Sequence, residues 1–113
     1  MRQERDEPTQ PHVVAIIPIG MLDGAKSRLG SVLDAEERHD LARTFATRTI
    51  AAAVAAATIA ETLVVTPDDG VRSLALDLGA RPLRQRGSGL NEGLREARAE
   101  ALAAGADAIL VLP

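Results

Sequence analysis

Two basic residues two positions apart, Lys26 and Arg28, stand in the stretch PIGMLDGAKSRLG at residues 18–30. Lys26 is the only lysine in a chain with twelve arginines. An ammonium is a compact point charge, and a guanidinium is a planar fork that grips two oxygens at once. The pair therefore suits an anion with many oxygens, a polyphosphate above all. Gly20, Gly24 and Gly30 surround it, and glycine lets a backbone come close to a ligand and turn its N–H groups inward. Ser27, between the cations, and Pro18, ahead of them, complete the candidate set of this loop. The plain alternative is a surface loop carrying two solvated cations.

A rival reading of the same residues is a P-loop. Gly20-x5-Lys26-Ser27 has the Walker spacing directly after an apolar run, but the second glycine of that motif should stand at Ala25, and Gly24 is one place early. A P-loop also enters its helix at the Lys-Ser pair, whereas the clear helix start here is Asp34. The match is a near miss, and a P-loop NTPase is the weakest of three readings.

A second constellation is GSGLNEG, residues 87–93. Gly89 permits close backbone approach, and the Asn91 amide has donors and an acceptor able to read a nucleobase edge. Helix capping by Ser88 or Asn91 explains the same residues. Thr66 and Asp68, in TPD, could meet a ribose or a metal; capping alone accounts for Asp68 or Asp69. His12 and His39 have no catalytic partner nearby, and no metal-ligand spacing or Ser-His-Asp arrangement stands out.

These residues need a frame, and hydrophobic patterning supplies one. VVAIIPI, residues 13–19, is a β-branched apolar run typical of a strand buried on both faces. Asp34 with Glu37 forms a capping box, opening a helix whose inward face is expected to carry Leu41, Ala42, Phe45, Ala46, Ile50, Ala53, Val54 and Ala57. TLVVT is a second buried strand. Val71, Leu74, Ala75 and Leu78 fall at helical spacing, with Gly79 placed for a left-handed cap. RPLRQ is a weak third strand. A further helix is expected to turn Leu94, Ala97, Ala101 and Leu102 inward and to end at Gly105, and AILVLP reads as a central-type fourth strand. Such alternation means a parallel α/β sheet, which takes its ligands at the carboxyl ends of its strands. The loop at residues 20–33 is the longest of those ends; strand-to-helix loops usually run about 2–6 residues.

Composition narrows the classes. A length of 113 residues allows one domain, and the absence of cysteine removes thiol catalysis and disulfides. Thirteen basic against sixteen acidic residues give a net charge of −3, which argues against a nucleic-acid or anionic-membrane surface. A single phenylalanine and no other aromatic leave no base-stacking platform. Residues 1–12 are polar, proline-punctuated and free of a signal-like apolar core, and read as a loose tail. A cytoplasmic protein is the expectation.

The blocks VVAIIPIGMLDGAKSRLGSVLDAEERHDLA, LVVTPD, GLNEGL and ADAILVLP together resemble the CofC/FbiD family, the guanylyltransferases of coenzyme F-420 biosynthesis. The resemblance runs over nearly all of residues 13–113. It implies an α/β, Rossmann-like three-layer nucleotidyltransferase (glycosyltransferase A-like) fold, of which this chain is the N-terminal part, incomplete at the C-terminus. It implies transfer of GMP from GTP to a phosphorylated three-carbon acid, 2-phospho-L-lactate, phosphoenolpyruvate or 3-phosphoglycerate, with release of pyrophosphate. Lys26 and Arg28 would be the catalytic cations on the triphosphate. Pro18, Gly20, Gly24, Ser27, Thr66, Asp68, Gly89 and Asn91 would line the nucleotide. Magnesium would be held by carboxylates beyond residue 113, and a homodimer is compatible with the pattern. Two departures stand out: Gly20 replaces a commonly basic residue, and the chain stops at Leu112-Pro113, short of the A-D-L-P aspartate expected to bind metal. The fragment alone is then expected to be inactive; a non-catalytic nucleotide-binding remnant completed by a partner chain is the other reading.

Overall fold

The computed structural model of the chain describes residues 11–22 and 34–112. Seven elements alternate along it: β1 (Val13–Pro18), α1 (Ala35–Ala55), β2 (Glu61–Thr66), α2 (Asp69–Asp77), β3 (Arg81–Arg84), α3 (Leu90–Ala103) and β4 (Ala108–Val111). The strands form one sheet in the order β3-β2-β1-β4, and every pair is parallel.

The two-residue period of a strand sorts the core. Ala15, Ile17 and Val64 point to one face, where they meet Ala42, Ala46, Ile50 and Ala53 of α1 and Val71, Leu74 and Ala75 of α2. Val14, Ile16, Leu63 and Val65 point to the other and pack on Ala97 and Ala101 of α3. The result is three layers, the sheet lying between α1 with α2 and α3. The chain steps from β1 outward to β3 and then crosses to the far side of β1. The strand order thus reverses between β1 and β4, and in sheets of this kind ligands bind at the carboxyl side of that reversal.

Local chemistry explains the element ends. Asp34 Oδ1 accepts the Glu37 N–H at 2.8 Å while Glu37 Oε1 accepts the Asp34 N–H at 3.0 Å, the reciprocal box expected from the sequence. Gly79 closes α2 at φ +91°; its N–H reaches Leu76 O at 3.1 Å and the Ala80 N–H reaches Ala75 O at 2.8 Å, the paired bonds of a left-handed C-cap. Gly79→Ala forces a Cβ into that left-handed conformation and should lower stability by about 1–2 kcal/mol, measured as a shift in the urea midpoint. β3 contains Pro82, which has no N–H to give a ladder; it is tolerated because β3 lies at the sheet edge.

Three expectations about burial are corrected. Phe45 is 46% exposed, and Val54 and Ala57 also lie outside the core. α1 rests on the sheet through a narrow stripe of alanines and Ile50, and a residue next to that stripe is turned away by about 100°. Leu102 is 54% exposed for the same reason, one position past the buried Ala101. With Ile109 and Val111 it lines an apolar groove between α3 and β4. β4, read as central, pairs only with β1 among the described residues, and Leu110 and Val111 are exposed. His12, read as tail, is bonded to the start of β4: its N–H reaches Asp107 Oδ2 at 2.8 Å, and its carbonyl accepts the Asp107 N–H at 2.8 Å. No helix among the described residues is long and apolar enough to cross a membrane.

Candidate nucleotide site at the carboxyl edge

Three chain segments leave the carboxyl edge of the sheet side by side. Pro18 ends β1 in register with Val65, and Thr66 ends β2 in register with Arg84 of β3. The Ile19 N–H continues the ladder to Val65 O at 3.0 Å, and the Gln85 N–H does the same to Thr66 O at 3.0 Å. The segments after β1, β2 and β3 are therefore fixed to one another for the first residues of each loop.

Asp68 is the knot between the first two. Its Oδ2 accepts the Leu22 N–H at 2.9 Å across 46 residues of sequence, and its Oδ1 accepts the Val71 N–H at 3.1 Å as the cap of α2. The Asp68 N–H in turn donates to the hydroxyl of the fully buried Thr66 at 3.1 Å. Leu22 itself is buried among Ile17, Ile50 and Val71. Partial burial opposes ionisation of Asp68. The N–H groups of Leu22, Val71 and Gly70 and the nearby His39 outweigh it, so the carboxyl lies below the ordinary value of 3.8. Thr66 and Asp68 thus shape the site from within: both carboxylate oxygens are engaged by backbone.

Gly20 is exposed, and nothing lies within 4 Å of where its Cβ would stand, so the position has room for a larger side chain. Lys26, Arg28, Gly24 and Ser27 lie outside the described residues. The described chain stops at Leu22, tied to Asp68, and resumes at Asp34, the cap of α1, so both flanks of the segment stand at the edge where α1 begins. Because α1 starts at Ala35 behind its own capping box, the Lys26-Ser27 pair does not open that helix as a Walker loop requires.

Gly89 is the N-cap of α3 at φ +88° and offers no side-chain cap. The capping role allowed for Ser88 or Asn91 is therefore not the one observed. Asn91 sits exposed in the first turn, and the side chain is left open to a ligand. Sequence reasoning missed two residues here, Gln85 and Glu96, which bond to the backbone of residues 86–89. The available signal was Gly93, a glycine inside a helical pattern, which marks a close approach; a Cβ there would come 2.7 Å from Gln85 Oε1. Arg84 was also passed over; it leans on Asp69 at 3.3 Å, an exposed pair of small energetic weight. Among the described residues no group of three or more His, Asp or Glu side chains gathers as a metal site; at this corner Asp68 is spent on backbone N–H groups and Asp69 pairs with Arg72 and Arg84.

A doubly wound parallel sheet with its loops gathered at the carboxyl edge is the α/β architecture that takes ligands at that edge. The fold matches a crystal structure from Desulfovibrio desulfuricans G20 assigned to the nucleotide-diphospho-sugar transferases. The TM-score is 0.72 at 19% identity, over 88% of this chain and 46% of that one. Residues 13–113 match the family described as guanylyl transferase CofC like, and the chain belongs to that family. A phosphoenolpyruvate guanylyltransferase of Rubrobacter xylanophilus is 46% identical over 89% of this chain and 49% of its own length. One from Sphaerobacter thermophilus is 40% identical over 88% of this chain and 48% of its own. The chain spans about half the length of the curated relatives it matches.

Proposed function

We propose that this chain forms the nucleotide-binding half of a guanylyltransferase that transfers GMP from GTP to the phosphate of a three-carbon acid. Phosphoenolpyruvate is the first candidate and 2-phospho-L-lactate the second. In the reaction an acceptor phosphate oxygen bonds to the α-phosphorus of GTP, the bond to the β-phosphate oxygen breaks, and pyrophosphate leaves. The acceptor is already an anionic nucleophile, so the protein's work is alignment and charge compensation. Lys26 and Arg28 hold the triphosphate on the loop that Asp68 anchors, and Gly89 and Asn91 stand at the guanine and ribose. Magnesium on the triphosphate, with carboxylates supplied outside this chain, belongs to the same reading, as do coenzyme F-420 biosynthesis and a cytoplasmic setting.

The observation that carries the reading is the family match across all four strands, with relatives at 46% and 40% identity that share one activity name. The placement of Thr66, Asp68, Gly89 and the flanks of the Lys26 segment at one sheet edge supports it. The test is pyrophosphate release by the intact protein with GTP, ATP or CTP against phosphoenolpyruvate, 2-phospho-L-lactate and 3-phosphoglycerate. Release should require GTP together with one of the acids. Release without any acid, or binding without turnover by the intact protein, would count against it.

A further inference from the structure

The turn between β3 and α3 is held by side chains from both sides. Glu96, on the second turn of α3, accepts two consecutive backbone N–H groups: Arg86 at 2.8 Å on Oε1 and Gly87 at 2.7 Å on Oε2. Gln85 works on the carbonyls, its Nε2 donating to Gly87 O at 2.8 Å and Gly89 O at 2.9 Å. The Gln85 amide has room because Gly93 faces it without a side chain. The turn is close-packed as well, since a Cβ on Gly87 would stand 2.9 Å from Glu92 Cβ.

This clamp determines what the turn can offer a ligand. The N–H groups of residues 86 and 87 and the carbonyls of residues 87 and 89 are engaged internally. The first N–H groups of α3 have no helical partner and, with Gly89 as N-cap, no side-chain cap. Beside them is the exposed Asn91. Donors and an amide edge thus face outward together, a combination that fits the polar rim of a purine nucleoside.

We propose that Glu96 and Gln85 are positioning residues, which touch no substrate and lock residues 85–89 so that Asn91 and the amide end of α3 meet the nucleoside of the bound nucleotide. The proposal rests on the nucleotide-binding reading above. Its consequence is that Glu96 acts on affinity rather than on the chemical step.

The test compares wild type, Glu96→Ala and Glu96→Gln in the intact protein by three measurements. These are amide hydrogen exchange without nucleotide, GTP titration, and turnover at saturating GTP. E96A should speed exchange at Arg86 and Gly87 and weaken GTP binding by about tenfold or more, the scale of a lost charged hydrogen bond. Turnover at saturation should stay within about threefold. E96Q keeps the shape and one acceptor, so it should recover part of the affinity; it also reads the effect at smaller amplitude if E96A fails to fold. Unchanged exchange in E96A would remove the clamp. Faster exchange with unchanged GTP affinity would remove its role in binding. A wild type that binds no nucleotide overturns the functional reading itself, while the exchange result still decides whether the clamp orders the turn, so the two failures stay apart.

Discussion

Replacing Asp68 by alanine is expected to destabilise the fold by about 2–3 kcal/mol and to weaken GTP binding at the same time. Two losses add. The cap of α2 is worth about 1 kcal/mol, and the charged bond to Leu22 about 1.5 kcal/mol, with a buried donor left unpaired in its absence. Asp68→Asn separates them, because asparagine caps nearly as well but has only one acceptor oxygen for the two N–H groups that Asp68 serves at 2.9 and 3.1 Å. D68N should therefore keep the cap, about 1 kcal/mol, and lose the Leu22 bond, about 1.5 kcal/mol, together with loop placement, the latter visible as a raised KM for GTP with kcat less affected. The acid dependence has a defined sign. The folded carboxyl lies below the ordinary 3.8, so its contribution is complete above that value and disappears as pH falls through the folded pKa. The gap between wild type and D68N in urea midpoint should be full near neutrality and shrink as pH falls below the ordinary 3.8 and through the folded pKa. A gap that widens in acid would show that Asp68 is not held ionised.

The larger effect on activity is expected at Lys26. Lys26→Ala should lower pyrophosphate release from GTP and acceptor by about 10²–10³-fold, the scale found when one stabilising donor is removed from a developing charge. Lys26→Arg should fall between, since the charge remains but its planar head is larger. Both are read at saturating acceptor beside thermal midpoints, because a drop in midpoint would assign the loss to folding. Unchanged turnover in the alanine variant would take Lys26 out of the mechanism.

The elements themselves were legible because their signals are local. VVAIIP can only be a strand buried on both faces, Asp34 and Glu37 announce the start of α1, and Gly79 ends α2 where spacing places it. Which side of a helix faces inward was less legible. Phe45, Val54 and Leu102 are apolar enough for a core, yet α1 and α3 approach the sheet through alanines, and close approach leaves bulky neighbours outside. At the site, glycines and single polar residues pointed to loops that follow β1, β2 and β3, and the family's blocks fall on the same loops. The bonds that fix those loops were hidden. Leu22 meets Asp68 across 46 residues, and Glu96 meets Arg86 across ten; no spacing rule encodes a side chain reaching another segment's backbone.

The order of the strands sets a problem for the growing chain. β1 is made before the other three described strands, and it lies between β2 and β4, so one of its edges finds its partner only after residues 108–111 have left the ribosome. Until then VVAIIP, one of the most apolar runs in the protein, presents an unsatisfied backbone edge to whatever is near. Parallel pairing over such separations is slow, and waiting strands of this type aggregate. Low growth temperature or slow translation should therefore raise the soluble yield, and holdase chaperones should find their target in the β1 segment.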